Sequence, residues 1–425
     1  MPVDFSRLPE EVPVATKGPS AIVWSSVFIL LTLAGTALAL LCWPRETGSG
    51  APWFWITVTV FPVCLSGALA LRPFSYFHRR RNEAMALNTA VKAYRNAVFD
   101  VASVPLAVLA CAYLLDAKDS GNTFDAIRRR ADSPPTRQSR DSQEMIVASL
   151  LEPKEAALAF DDSERQEAVL SWILESLLAR IADALKGIPP QLAVAVRLEI
   201  QSMLEREVVL DAWRQLPVSV RPACLAHEPV CDPSGGLRLV DTMLDAGTPA
   251  ISDAVTLIIS ANLSQVRDAD PESGSCEAAC VLLVCPAALA REMQLSVAGW
   301  LHRPQASDSA PAEGALHFAL RWGRVEASAT AGVVSAGLDE ETASQLRIGL
   351  RKAGRSGDLT ASKDFALDTL VGNTGPTAPW LAVTLALQQA VQSGAPYIVS
   401  TQDDDHVLLA VVAPVAQRAR QGIQT

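Results

Sequence analysis

Two long apolar runs separated by a short polar turn dominate the first part of the hydrophobic pattern. Ala21 to Trp43 and Pro52 to Leu71 carry no charge, and about twenty such residues suffice for a helix to cross a hydrocarbon core of roughly 30 Å. Trp43 closes the first run and Trp53, Phe54 and Trp55 open the second, where aromatic anchors sit at a membrane face. The turn from Pro44 to Ala51 is too short to hold a domain. The pattern therefore predicts a transmembrane helical hairpin over 21–72, preceded by a flexible tail over 1–20, with both flanks on one side of the bilayer. Arg72, Arg79, Arg80 and Arg81, then Lys92 and Arg95, crowd the exit of the second run, against Arg45 alone in the turn. Positive residues stay cytoplasmic, so this basic cluster is read as topogenic and both termini as cytoplasmic. A cleaved secretory signal is the competing reading of the first run. It conflicts with Asp4, Glu10 and Glu11 in the tail and with the lack of an Ala-x-Ala pattern before the turn.

Past the anchor, residues 73–99 read as a basic juxtamembrane helix, with Met85, Leu87, Val91, Tyr94 and Val98 near helical spacing. Val104 to Leu115 is too short to span again and reads as a buried strand. Asp116 to Ser142 is rich in Ser, Arg, Asp and Pro and reads as a long surface excursion, partly disordered. From Ser163 to Lys186 the positions Val169, Leu170, Ile173, Leu174, Leu177, Leu178, Ile181 and Leu185 keep a helical rhythm. Strands are expected over Glu144 to Leu151, Gln191 to Ile200, Asp253 to Ser260, Ala279 to Cys285, Val325 to Ser335, Pro396 to Thr401 and Val407 to Pro414. Helices are expected over Leu204 to Gln215, Gly236 to Ala246, Asp339 to Gly354 and Leu381 to Val391. Strands alternating with helices predict one large α/β layered cytosolic domain over 100–425, divisible into two similar halves at about 100–245 and 246–425.

Composition narrows the function. Of 425 residues, 49% are hydrophobic and the net charge is −10, so the soluble part is well away from disorder and nucleic acid is excluded as a partner. Eight cysteines show no disulfide framework; Cys42 and Cys64 fall in the apolar runs, and reduced thiols suit a cytosolic domain. Cys224, His227, Cys231, Cys276 and Cys280 lack the paired spacing of a zinc ribbon or finger, so no metal and no cofactor is expected. Asp403, Asp404, Asp405 and His406 read as a solvated hairpin tip rather than a cation site.

The most distinctive soluble motif is Gly372, Asn373, Thr374 and Gly375, leading into an apolar helix. Such a turn presents backbone N–H groups and the positive end of a helix dipole, which suits an anion or a developing oxyanion. The alternative is a packing turn whose glycines permit close approach while Thr377 caps the helix.

This stretch, with Pro376, Thr377 and Ala378 following, resembles the asparagine-bearing turn of thiolase-like condensing enzymes, which include the ketoacyl synthases. Gly332 to Asp339 and the helix after it resemble the preceding strand-then-helix segment of that family. The resemblance spans roughly 250–415. It implies a cysteine nucleophile at a strand-to-helix elbow, a histidine after the penultimate strand, and an asparagine or second histidine in the glycine turn. Asn373 matches the last. The histidine segment reads Ser335, Ala336, Gly337 and Leu338, and Cys280 and Cys285 lie inside a strand pattern, so the resemblance implies a thiolase-like scaffold without the thiolate chemistry.

The layout as a whole resembles membrane-anchored accessory proteins of bacterial type VI secretion clusters, including the type VI lipase adaptor group. The hairpin with Trp43 and Pro44, the Leu87-Asn88 pair, the strand from Pro105 and the segment Leu301 to Pro304 carry it. It implies a multi-pass protein of the bacterial inner membrane and a non-enzymatic adaptor or scaffold binding a toxin effector or a secretion component, with the lipid bilayer as a second partner and a small-molecule ligand not expected. Two alternatives stand beside it: a thiolase-like acyl-binding or acyl-transfer enzyme using the Asn373 loop, and a structural subunit of a membrane complex.

Overall fold

The computed structural model describes residues 8–43, 52–140, 144–232, 235–245, 254–308, 312–355, 364–403 and 406–415. The turn bearing Arg45, the acids Asp404 and Asp405, and parts of the tail and of the loop from Ser307 to Gly314 lie outside the described residues. The chain divides into two compact units, 3–99 and 100–425 with the first two residues, and each is taken by itself.

In the first unit, α1 (Ala21–Cys42) and α2 (Pro52–Ala102) are long and apolar enough to cross a membrane. The basic stretch expected as a separate helix continues α2 without a break, through Pro73. Thr32 and Ser66 hydroxyls meet at 2.6 Å and Thr36 donates to the Val58 carbonyl at 3.2 Å, so α1 and α2 pack as an antiparallel pair. Small and hydroxylated residues let apolar helices approach in this way. The ring of Trp43 meets that of Phe54 edge-on at 5.2 Å, and Phe54 meets Trp55 at 5.5 Å, gathering the aromatic residues at the turn end. In the polar segment before α1, Val12 exchanges two backbone bonds with the Asn88 amide, at 2.8 and 2.9 Å.

The second unit is built on a mixed sheet whose strand order repeats. Its first half runs β5 (Val230–Cys231), β4 (Val194–Gln201), β6 (Val255–Asn262), β8 (Ala278–Pro286), β1 (Leu106–Leu114). The second runs β12 (Phe365–Ala366), β11 (Gly332–Ala336), β13 (Tyr397–Asp403), β14 (His406–Pro414), β9 (Gly299–Leu301), with β10 (Gln305–Asp308) also against β14. In both halves the first three strands are parallel and the next two steps antiparallel. Numbered by chain order within each half, both sheets read 3-2-4-5-1. β1 pairs with β9 and joins them. The seam of the repeat falls between 286 and 299, beyond the expected 245.

Helices fill three apolar layers. On the outer side of the first half, α4 (Asp162–Arg180) and α5 (Arg206–Arg214) pack on Val194, Val196, Leu257 and Val281. On the outer side of the second, α7 (Ala312–Gly323) and α8 (Glu340–Lys352) pack on Ile398, Leu409 and Val411. Between the halves lie α6 (Gly236–Asp245) and α9 (Ala378–Ser393), the helices that follow the third strand of each half. α9 is apolar nearly all round, as a helix enclosed on every side must be, with Trp380, Leu381, Ala382, Val383 and Ala386 fully buried.

Two sequence expectations change, and the stretch between β6 and β8 takes a defined form. The excursion from Asp116 contains the amphipathic helix α3 (Phe124–Asp132), capped by Thr123, and β2 (Thr136–Gln138), which pairs with β3 (Met145–Ser149). The polar stretch between β6 and β8 is tied down: Asp162 accepts the N–H groups of Val266, Arg267 and Asp268 at 2.8 to 2.9 Å, and β7 (Ser275–Cys276) lies within it. The strand expected from Val325 begins only at Gly332, after a 3-10 turn.

Candidate active site

The glycine turn sits at the entry to the enclosed helix α9, where backbone bonds determine its shape. Asn373 N–H donates to the Gly274 carbonyl and Cys276 N–H to the Asn373 carbonyl, both at 2.8 Å, so the turn joins β7 as one more extended segment. Gly372 has φ +96°, and a Cβ there would collide with the Gly274 carbonyl. Gly375 has φ +55°, and its Cβ would lie 2.8 Å from Gln201 Oε1 and 3.1 Å from Asn262 Oδ1. Only glycine meets both demands. Asn373 Oδ1 accepts the Gly375 N–H at 2.9 Å, which leaves the Asn373 amide hydrogens turned away from this bond as donors on an exposed side chain. Thr377 does not cap the helix; its hydroxyl accepts from Ser260 at 3.1 Å.

The corresponding entry in the first half is the step from β5 to α6, the strand-to-helix elbow. A Cβ on Gly235 would overlap the Glu199 carboxylate. Glu199 thus fills the space an elbow side chain would need. Its Oε2 accepts from Trp380 Nε1 at 2.6 Å. Burial pushes its pKa up to about 7, against the lowering effects of Trp380, Arg197 and the Gly236 N–H. At the end of β11 Ala336 and Gly337 stand where the resemblance calls for a histidine, and Gly337 N–H donates to Asp368 Oδ2 at 2.6 Å.

Glu199 belongs to a polar row that runs across the buried face of the sheet. Strand register sets Glu199 beside Ser260, Ser260 beside Cys280, and Cys280 beside Tyr113, and all four are buried. Burial raises the Cys280 thiol far above its ordinary value, with the Glu199 charge adding to it, and raises Tyr113 to about 12. Cys276, closest in sequence pairing to Asn373, is likewise raised to about 12 by burial. These sulfurs are held as thiols. Cys231 and Cys224 are also raised by burial. Among the described residues, no three His, Cys, Asp or Glu side chains gather as a metal site. Asp403 at the closing hairpin pairs with Arg238.

A cavity of about 200 Å³ opens beside the turn, lined by Arg130, Pro135, Ser149, Ser275, Asp368 and Gly372 among others. A more polar cleft of about 550 Å³ shares Arg130, Pro135 and Ser149 with it and carries Lys118, Arg137 and Glu152. Arg130 is anchored there by the Leu115 carbonyl at 2.6 Å and by Asp116.

Sequence reasoning singled out Asn373 and its glycines but missed Glu199 and Arg130. The signal for Glu199 was a carboxylate two residues after Arg197 on the same face of β4. Arg130 was hidden in a stretch read as an excursion.

No family model matches the chain, and no curated protein matches it. Solved structures do. The ketosynthase from module 6 of the bacillaene synthase of Bacillus subtilis 168 superposes with a TM-score of 0.51 at 10% identity, over 73% of this chain and 70% of that one. The ketosynthase from module 1 of the bacillaene synthase of Bacillus amyloliquefaciens FZB42 gives 0.49 at 12% identity, over 77% and 76%. A type II polyketide synthase acyl-carrier protein in complex with its ketosynthase gives 0.45 at 12% identity, over 73% and 99%. The first of these establishes the class: the chain has the mixed α/β fold of thiolase-like ketosynthases.

That finding corrects two expectations. The reading as a non-enzymatic adaptor of type VI secretion is overturned, because the architecture is one carried by condensing enzymes and nothing in it supports a secretion adaptor. The expectation that the protein is not an enzyme falls with it.

Proposed function

We propose that this protein is a membrane-associated acyl-binding or acyl-transfer enzyme of thiolase-like fold, and that it holds the acyl carbonyl at the Asn373 turn. One observation carries the reading. Asn373 is locked by Gly375 and by its backbone pairing with 274–276 at the entry to the enclosed helix α9, with its amide N–H groups outward. Donors fixed at a helix entry stabilise the negative charge that develops on a carbonyl oxygen during acyl transfer, and they do so without reorganising. The joined clefts at Arg130 give a polar approach to this turn for the carrier of the acyl group. The high pKa values of the buried thiols argue that the acyl group is handled as a bound ester or thioester rather than on a cysteine.

In this proposal α1 and α2 cross the bacterial inner membrane. Trp43, Trp53, Phe54 and Trp55 lie at one face, and Arg72, Arg79, Arg80 and Arg81 hold the other end in the cytoplasm together with both termini and the 100–425 unit. The basic residues near the exit of the second span support that direction.

The test uses the full chain in phospholipid nanodiscs with octanoyl-pantetheine, octanoyl-coenzyme A and an octanoyl carrier protein. Binding is read by calorimetry, and turnover, with water as the acyl acceptor, by release of the free thiol together with octanoic acid. Wild type should bind at least one of the three, and Asn373→Ala should weaken that binding about tenfold, the loss expected for one or two hydrogen bonds. Absence of binding to all three would end the proposal.

A further inference from the structure

Between α1 and α2, at the end where the basic exit begins, lies a groove of about 280 Å³. Trp24, Ser25 and Phe28 of α1 form one wall, and Gly67, Leu71 and Phe74 of α2 the other. The room comes from Gly67, which sets only hydrogen opposite the Phe28 ring; a Cβ there would lie 3.7 Å from the nearest ring carbon. Deeper in the pair, the bond between the Thr32 and Ser66 hydroxyls closes the space. Apart from the Ser25 hydroxyl and the Trp24 indole N–H, these side chains are apolar.

The charge beyond the groove selects its occupant. Gly67, Leu71, Phe74, His78 and Arg81 follow one another at steps of four, three, four and three, so they share one face of α2. The face that lines the groove therefore runs on into His78 and Arg81, about 6 and 10 Å past Phe74 at 1.5 Å per residue. Gly18 packs on Phe77, where a Cβ would lie 3.2 Å from the ring, and this brings Lys17 to the same level. Arg81 and Lys17 are exposed, and among the described residues neither pairs with a carboxylate. The acids of this unit are engaged further along: Glu83 pairs with Arg79 and Glu11 with Lys92. An apolar groove that ends at two unpaired cations complements a lipid whose headgroup is negative, and each cation at a charged headgroup favours binding about fivefold. The volume lies just below the roughly 300–1,000 Å³ of ligand sites, which suits one acyl chain.

We infer that the groove between α1 and α2 holds one acyl chain of an anionic phospholipid, whose phosphate is met by Arg81 and Lys17. The inference rests on the membrane crossing proposed above and is independent of the Asn373 turn. A zwitterionic lipid offers the same chain with a compensating positive charge, and the experiment separates the two.

The full chain is reconstituted in vesicles of equal parts phosphatidylcholine and phosphatidylglycerol. Retention after an alkaline carbonate wash reads the crossing. The protein is then extracted in mild detergent, and its bound lipid is identified and counted by native mass spectrometry. Wild type should be retained and should carry one phosphatidylglycerol per chain, favoured over phosphatidylcholine by at least tenfold. Arg81→Gln should lower that preference about fivefold. Arg72→Gln, which removes the same charge about 140° round α2 from Gly67, should leave it unchanged. Ser25→Phe fills the groove from an exposed position and should remove the bound lipid while retention in the vesicles persists. Release by carbonate would overturn the crossing and the inference with it. Retention without a preference for phosphatidylglycerol would overturn the inference alone. So would equal losses in Arg72→Gln and Arg81→Gln, a bound lipid that survives Ser25→Phe, or a second copy of the chain in place of the lipid.

Discussion

Trp380 Nε1 donates to Glu199 Oε2 at 2.6 Å, a bond that ties the enclosed helix α9 in the second half of the repeat to strand β4 in the first. Both residues are essentially without solvent contact. The bond links the glycine turn that starts α9 to the elbow that starts α6, because Glu199 lies under Gly235.

A raised carboxylate makes stability fall with pH. The native state keeps the Glu199 proton up to about 7, whereas the unfolded chain releases it near its ordinary value. The native state therefore binds more protons between about 4.5 and 7, and stability declines across that window. Glu199→Gln keeps an acceptor for Trp380 and removes the decline. At pH 8 it should stabilise the protein by on the order of 3 kcal/mol, read by urea unfolding followed through tryptophan fluorescence. A variant less stable than wild type at pH 8 would mean that the carboxylate is charged and fully compensated.

His302 acts in the opposite direction. Burial lowers its pKa to about 4, with a backbone bond to Trp322 opposing and Arg324 adding. The unfolded chain takes up its proton near 6.5 and the native state only near 4, so stability is lost as pH falls through that interval. Wild type should thus show a shallow profile between 4.5 and 6.5, where the two groups offset one another. His302→Gln should expose the downward slope of Glu199, and Glu199→Gln the upward slope of His302. Unfolding free energies of both variants at half-unit pH steps decide it; parallel profiles would contradict the assignment.

Arg165 and Glu277 form a buried ion pair at 2.7 Å, with side-chain exposures of 4% and 0%. Glu277 also accepts from Leu151 N–H at 2.8 Å and Ser264 N–H at 2.9 Å, so it anchors the stretch between β6 and β8 that carries β7. Removing either partner strands a charge, at a cost of about 3–5 kcal/mol. Glu277→Ala should lose that much in chemical denaturation and should also raise amide exchange at Gly274 and Cys276, beside Asn373. Unchanged exchange there would separate the ion pair from the turn.

Gly372→Ala tests the turn itself. Its positive φ and its contact with the Gly274 carbonyl forbid a methyl group without backbone movement. The variant should weaken acyl binding at least as much as Asn373→Ala while lowering global stability by about 1–3 kcal/mol. Loss of stability with full binding would show that the turn is only a packing device.

Much of this molecule was legible in its residues. The apolar runs before Trp43 and after Pro52 are long and uncharged, and backbone polarity leaves a helix as the solution for such runs. The helix through Leu170, Ile173, Leu174 and Leu177 announced itself by period, and Gly372 and Gly375 by a spacing that only a tight turn explains. The Asn373 turn stood out because turn and helix are neighbours in the chain. Glu199 did not, because its meaning depends on Trp380, 181 residues away, and on the missing side chain at Gly235. The placement of Arg130 likewise rests on contacts outside its own helix, with the Leu115 carbonyl, Asp116 and Ser149.

Local order, then, was written in the sequence: where helices start, which segments are apolar throughout, and which turn needs glycine, since these follow from period and from steric limits within a few residues. The sequence suggested two similar halves, but the tertiary structure alone decided that each folds into the same 3-2-4-5-1 sheet and where one half gives way to the next. That structure alone set Glu199, Ser260, Cys280 and Tyr113 in one row, and left a groove between α1 and α2. Each of these depends on strand register and on volume between elements distant in the chain. No local pattern encodes either quantity, because both are set by how the whole core closes.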